Sequence, residues 1–140
     1  MKNRIRIYLG IITMIFFISC SLSKPQKQQL EDISGQWEET WGAGEPTNVD
    51  YADVYIITTN TQNKPTITCP KRKNYVFEQI TFDGKKIITH LVIKDLKYGA
   101  GDAWVDYTLE MQEDKNSFKG TALTKAGKKA TIIWKKIANL

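Results

Sequence analysis

Few side chains in this 140-residue sequence have the types and spacing that catalysis needs. His90 is the one histidine and lies within the apolar stretch "IITHLVIKD", where a structural or surface histidine is more common than a general base. Asp102 and Asp106 would lie about 13 Å apart on one strand, whereas glycoside hydrolysis needs carboxylates about 5 to 9.5 Å apart. Glu38 and Glu39 point to opposite faces of a strand.

The sequence shows no recognisable nucleophile motif and no cluster with metal-ligand spacing. We therefore expect no enzymatic activity, no cofactor and no metal site. Binding is the function class that the remaining side chains favour.

The amino terminus carries a targeting signal. Lys2, Arg4 and Arg6 precede an apolar run from Ile7 to Ile18. A transmembrane helix needs about 20 apolar residues, whereas a shorter run behind positive charge is typical of a secretory signal. We therefore expect export.

The segment "FISC", which ends at Cys20, resembles the bacterial lipobox. The resemblance implies that residues 1–19 are a signal peptide and that Cys20 carries palmitate-type acyl chains, which would anchor the chain stably to a membrane. With Ser21 after the cysteine, the same resemblance implies the outer membrane of a Gram-negative cell, with the periplasmic or surface face left open. The alternatives are an anchor without lipid, or a secreted protein with a disulfide between Cys20 and Cys69. Lipidation would leave Cys69 as a lone thiol.

Charge gives no argument for nucleic acid as a partner. The full sequence has a net charge of +5, with 20 basic and 15 acidic residues. Removing Lys2, Arg4 and Arg6 with the signal leaves 17 basic residues against 15 acidic ones, which is close to neutral.

The rest of the chain divides into a tether and one domain. Residues 20–32 are polar and lack aromatics, so we expect a flexible, lipid-anchored tether with room for a short helical turn. Residues 33–140 are enough for a domain with its own core.

Eight runs rich in β-branched and aromatic residues follow one another in the domain, separated by turn residues. The dipeptide Asp83-Gly84 predicts a two-residue hairpin with positive φ at both positions. We predict an all-β domain, an eight-stranded antiparallel up-and-down barrel in which the first and last strands pair. The predicted strands are 34–41, 51–59, 66–69, 75–82, 85–94, 102–111, 117–124 and 128–137.

Charge supports this closure. Residues 31–53 hold seven acids and no base, whereas residues 115–136 hold seven bases and no acid, so paired first and last strands would carry opposite charge. We also expect Asp102, Asp106 and Glu110 of the sixth strand to face the basic seventh strand.

The tripeptide "GQW", Gly35 to Trp37, resembles the G-x-W motif that opens lipocalins and related calycin barrels. The final hairpin, "FKGTALTKAGKKATIIWKKI", resembles that of small bacterial lipocalin-like lipoproteins. The resemblance implies that Trp37 plugs one barrel end and that a basic residue of the last strand, Lys135 or its neighbour Lys136, lies over it.

Five inward-facing aromatic residues are the predicted ligand-binding set: Trp41, Tyr55, Tyr107, Phe118 and Trp134. If the barrel is open they line an apolar cup, and if it is filled they are core. We expect a small hydrophobic or amphipathic ligand at the barrel mouth of a membrane-anchored lipoprotein. The alternative is a protein-binding envelope module, such as a protease or hydrolase inhibitor, that uses the glycine-rich mouth loops and Trp104.

Overall fold

The computed structural model describes residues 24–42, 53–94 and 101–140 of the chain. The described residues form one helix, α1 (Lys24–Ile33), and eight β-strands. The strands are β1 (Gly35–Trp41), β2 (Val54–Thr59), β3 (Pro65–Thr68), β4 (Tyr75–Phe82), β5 (Lys86–Ile93), β6 (Ala103–Met111), β7 (Ser117–Thr124) and β8 (Lys129–Ala138). Within these three ranges, no helix is long and apolar enough to span a membrane.

The eight strands form one antiparallel sheet that curls into a nearly closed barrel. Their order is β3-β2-β1-β8-β7-β6-β5-β4. The first and last strands, β1 and β8, pair antiparallel, as the meander requires. The sheet ends at β3 and β4, which lie close together without a hydrogen-bonded ladder between them. The predicted eight-stranded antiparallel barrel is therefore confirmed.

Residue alternation decides which side chains enter the barrel. On β6, Val105, Tyr107 and Leu109 are buried, whereas Asp106 and Glu110 are exposed. Successive side chains on a strand point to opposite faces, so one apolar row per strand faces the core. The inward rows of the other long strands follow the same rule and form one continuous core.

Part of the expected tether is instead a helix packed on the barrel. Helix α1 begins at Lys24, and its Leu30 and Ile33 are buried in the core. These two residues lie three apart and so share one helix face. The main-chain oxygen of Ile33 also accepts a 2.9 Å hydrogen bond from Nε1 of Trp37. Cys20, with residues 1–23, lies outside the described residues.

The hairpin between β4 and β5 differs from its prediction. It uses three residues, 83–85, and Gly84 has a positive φ of 97° whereas Asp83 does not. The Asp83 carboxylate accepts hydrogen bonds from the main-chain nitrogens of Lys85, at 2.9 Å, and Lys86, at 2.6 Å. The predicted two-residue turn is wrong because this side chain caps a longer turn.

The acidic row of Asp102, Asp106 and Glu110 forms its ion pairs with residues on or next to β5, although Glu110 also lies opposite Lys119 of β7, as expected. Lys86, His90 and Lys94 lie at the same four-residue spacing as the three acids, so each group finds a partner across the ladder. The nitrogen-to-oxygen distances are 3.3 Å for Lys86 and Glu110, 2.6 Å for His90 and Asp106, and 2.8 Å for Lys94 and Asp102. At the β1–β8 seam, Glu38 does lie opposite Lys135.

The two barrel ends are built differently. The helix end carries α1 and the short turns after β2, β4 and β6. There Gln29 lies against Gly84, and Lys115 forms a 3.3 Å ion pair with Asp32. The mouth is the opposite end, where β1, β3, β5 and β7 end. Of the glycine-rich loops that we expected to carry function, residues 43–52 and 95–100 lie outside the described residues.

Candidate functional site

The predicted ligand-binding residues all belong to the inner side of the barrel, but most are inaccessible. Tyr55, Tyr107, Phe118 and Trp134 are at most 1% exposed, whereas Trp41 is half-buried. Trp41 ends β1 and is therefore the member of the set nearest to solvent at the mouth.

The aromatic rings pack on one another in the middle of the barrel. The ring centre of Trp134 is 5.0 Å from that of Tyr55 and 5.5 Å from that of Tyr107, and Trp41 lies 6.5 Å from Tyr107. These separations are typical of packed aromatic pairs. Phe118 does not join this group, because it packs at 4.9 Å against Trp37. The rings of Trp41, Tyr55, Tyr107 and Trp134 thus fill the middle of the barrel.

The residues of the opening motif assemble at the helix end. Trp37 is fully buried, and a Cβ at Gly35 would lie 2.5 Å from the main-chain oxygen of Ala138. The basic residue over Trp37 is Lys136, whose Nζ is 5.6 Å from the ring centre. Of the two candidate residues, Lys136 and not Lys135 therefore takes this position. Lys135 points outward because it follows the inward-facing Trp134, and alternation returns Lys136 to the inner side.

Sequence reasoning missed the most unusual side chain of the barrel, Glu39. It is 1% exposed and lies on the inner face of β1 between Trp37 and Trp41. The signal was present in the alternation, since residues 37, 39 and 41 must share a face. Because Glu39 shares the inner face with Trp37 and Trp41, its carboxyl group is not a solvated charge on the outer surface.

Three donors surround the Glu39 carboxyl group. The hydroxyl of Tyr107 lies 3.1 Å and 3.3 Å from its two oxygens, and Nε1 of Trp41 donates to Oε1. The Tyr55 hydroxyl also hydrogen-bonds this carboxyl. We call these four residues, together with the adjoining Trp134, the Glu39 cluster.

Burial raises the pKa of Glu39 to about 7, despite hydrogen bonds from Tyr55, Trp41 and Tyr107 that lower it. The cause is the cost of moving a charge out of water, which favours the neutral acid. Burial also raises the pKa of Tyr55 and of Tyr107, so both hydroxyls remain protonated donors. At neutral pH the cluster is therefore a protonated or half-protonated acid held among neutral donors.

An ion pair lies at the mouth beside the cluster. Arg72 and Asp53 are 3.1 Å apart, and the Arg72 guanidinium lies 5.9 Å from the ring centre of Tyr75. Asp53 is also part of the main chain that pairs with β1, since its carbonyl accepts a 2.9 Å hydrogen bond from the Glu39 nitrogen. The pair thus links the start of β2 to the β3–β4 connection.

Other reactive side chains lie apart from the Glu39 cluster. Cys69 is a free and buried cysteine, and burial raises the pKa of its thiol, which opposes reactivity. His90 and Asp106 lie on the outer face, where the His90 ring is 5.7 Å from that of the partly exposed Trp104. Among the described residues, no group of three or more histidines, cysteines or acids could hold a metal ion.

Comparison of the chain with protein-family models, with curated proteins and with solved structures finds no match.

Proposed function

We propose that this chain is a membrane-anchored, lipocalin-like lipoprotein that binds a small amphipathic ligand at the barrel mouth. The observation that supports it is the Glu39 cluster: a buried polar group among aromatic rings, reached from the mouth side by the half-buried Trp41. A mostly apolar site with a few well-placed polar groups is the usual form of a small-molecule site.

The packing of the interior sets the size of the ligand in this proposal. Tyr55, Tyr107 and Trp134 occupy the barrel below the mouth, so a long chain has no room to run through the centre. The ligand would place its polar head toward Glu39 and its apolar part against Trp41.

Binding can be tested with residues 20–140 carrying Cys20→Ser, which retain α1 and all eight strands. The protein would be titrated with 2-octanone, octylamine and octanoate, each below its aggregation limit, while heat and tryptophan fluorescence are recorded. We expect saturable binding of at least one compound with one site per chain. Trp41→Phe should weaken it, and the matched outer-surface variant Trp104→Phe should not. Absence of saturable binding for all three, or equal effects of the two variants, would contradict the proposal.

The anchor is a separate part of the proposal and rests on the lipobox resemblance around Cys20. Expression of the full chain in a Gram-negative host should give a protein that fractionates with the outer membrane. Mass spectrometry should then find an acylated amino-terminal Cys20, and Cys20→Ser should abolish both results. An unmodified Cys20 thiol in the processed protein would refute the anchor without touching the binding site.

The filled interior also favours a second candidate, a protein-binding envelope module. Four of the five predicted ligand residues are buried by neighbouring side chains, which is equally consistent with a rigid barrel that presents its mouth loops to another protein. Saturable, stoichiometric binding to one purified envelope hydrolase or protease, together with no binding of the three amphiphiles, would replace the first candidate with this one.

A further inference from the structure

The Glu39 cluster contains more hydrogen-bond donors than it can use internally. Trp41 and Tyr107 both direct their donors to the Glu39 carboxyl group, and Tyr55 hydrogen-bonds it as well. Nε1 of Trp134 is fully buried and has no hydrogen-bond partner among the described residues. A buried donor without an acceptor costs about 1–3 kcal/mol, so such groups seldom persist without a reason.

The unpaired donor of Trp134 lies next to the buried acid Glu39 in the barrel. Trp134 on β8 lies directly opposite Glu39 in the β1–β8 ladder, and both side chains point inward. The Trp134 ring also contacts Tyr55 and Tyr107, the two residues that hold the acid. An acceptor that entered from the mouth beside Glu39 would therefore arrive at the donor that lacks one.

The charges of the described residues around Glu39 disfavour a strongly ionic ligand. The titratable groups that face Glu39 from the neighbouring elements are Asp53 and Tyr55 of the β2 segment, Tyr75 of β4 and Tyr107 of β6. The β8 neighbour, Trp134, does not titrate. All three tyrosines have a raised pKa and remain neutral at physiological pH.

The other acid in that set, Asp53, is paired with Arg72 at 3.1 Å. Among the described residues, a ligand anion would meet no unpaired cation there, and burying an unpaired charge is costly. A ligand ammonium would require ionised Glu39 and would leave the Trp134 donor unpaired. A neutral acceptor has neither disadvantage.

We propose that the Glu39 cluster binds the neutral carbonyl group of a ketone, ester or amide, with its oxygen accepting hydrogen bonds from Nε1 of Trp134 and from protonated Glu39. This inference rests on the proposed function and specifies the class of its ligand. Glu39 and Trp134 are then the specificity-determining residues of the site, and the ligand must also be small, because the rings below leave no channel. Two converging donors in a dry site favour an acceptor over an isostere that lacks one.

The pH dependence follows from the donor role of Glu39. Glu39 supplies a hydrogen-bond donor only while it is protonated, so ketone affinity should be highest below neutral pH and should fall as pH rises through 7. Loss of one neutral hydrogen bond reduces affinity by roughly three- to tenfold. Octylamine should show the opposite trend, because ionised Glu39 attracts an ammonium.

The test compares 2-octanone, octanoate and octylamine on residues 20–140 with Cys20→Ser, at pH 6 and at pH 8. We expect 2-octanone to bind most tightly at pH 6 and to lose roughly three- to tenfold in affinity at pH 8. Glu39→Gln keeps an N–H donor, so its ketone affinity should stay high and become independent of pH. Trp134→Phe should lower the affinity for 2-octanone more than the affinity for octylamine. The ratio of the two affinities is the readout, because a loss of folded protein would affect both compounds equally.

Three results would each overturn the inference while leaving the mouth site intact. They are tightest binding of octylamine or octanoate, a pH-independent affinity for 2-octanone in the parent chain, and an unchanged ratio of ketone to amine affinity in Trp134→Phe. If none of the three compounds binds, the proposed function and this inference fall together.

Discussion

Nζ of Lys136 lies 5.6 Å from the ring centre of Trp37 and donates a 2.9 Å hydrogen bond to the main-chain oxygen of Asp32. One ammonium group therefore joins the last strand, the first strand and the end of α1. This contact closes the helix end of the barrel, where the first and last strands meet.

Replacement of Lys136 should cost more stability than replacement of its neighbour. Lys136→Ala removes a partly desolvated cation–π contact and a hydrogen bond, and we expect the free energy of unfolding to fall by about 1–2 kcal/mol. Lys135→Ala alters an outward side chain, and we expect a change within about 0.5 kcal/mol. Urea unfolding of both variants measures the difference. Equal losses would show that the contact over Trp37 contributes nothing.

The buried acid should make stability depend on pH. Glu39 has an ordinary pKa of 4.5 and a pKa of about 7 in the folded chain. Between these values the folded state holds a proton that the unfolded state has released, so the free energy of unfolding falls as pH rises. At 1.36 kcal/mol per pKa unit the total contribution is about 3 kcal/mol.

Glu39→Gln is the control for this prediction, because it removes the titration and retains the shape. From pH 4.5 to pH 8, the parent chain should lose about 3 kcal/mol of unfolding free energy relative to Glu39→Gln. Taking the difference cancels the titration of the other groups. Parallel stability curves for the two proteins would contradict the raised pKa of Glu39.

Helix α1 should be part of the cooperative fold. Leu30 is 3% exposed and packs in the core, so Leu30→Ala should lower the free energy of unfolding by about 2–4 kcal/mol. Glu31→Ala, at the adjacent exposed position, should change it by less than about 0.5 kcal/mol. Thermal unfolding followed by circular dichroism compares them. Similar, small effects of both substitutions would mean that the segment is a tether after all.

Two glycines should respond very differently to alanine. A Cβ at Gly120, on β7, would lie 2.0 Å from the main-chain oxygen of Thr108, so Gly120→Ala must displace β6 and should cost about 3 kcal/mol or more. Gly127 has a φ of 79° and open space around it, so Gly127→Ala should cost about 1 kcal/mol. The yield of folded protein and its melting temperature measure both. A Gly120→Ala variant as stable as Gly127→Ala would show that the strands can separate at this point without loss.

Much of the barrel could be predicted from the sequence because its signals are local. Alternation assigned Tyr107 and Leu109 to the inner face, and turn residues separated the strands in the right order. The candidate site was harder to predict. Glu39 appeared only as half of an adjacent acid pair, because sequence spacing does not show how deeply a position is buried.

The partner of a charged row was also beyond local reasoning. The strands before and after β6, β5 and β7, both carry basic residues. Whether Glu110 pairs with Lys86 or with Lys119 depends on the geometry of both ladders. Lys119 lies opposite Glu110 in the β6–β7 ladder, but the ion pair forms with Lys86.

The sequence by itself determined the alternating faces, the succession of antiparallel strands and the pairing of the first with the last. These features follow from backbone geometry and from turn residues close together in the chain. The tertiary structure alone decided that α1 packs on one barrel end, that the aromatic rings fill the interior and that Glu39 is enclosed by Tyr55 and Tyr107. Those outcomes depend on contacts between residues far apart in sequence, because burial is a property of the closed barrel and not of any one strand.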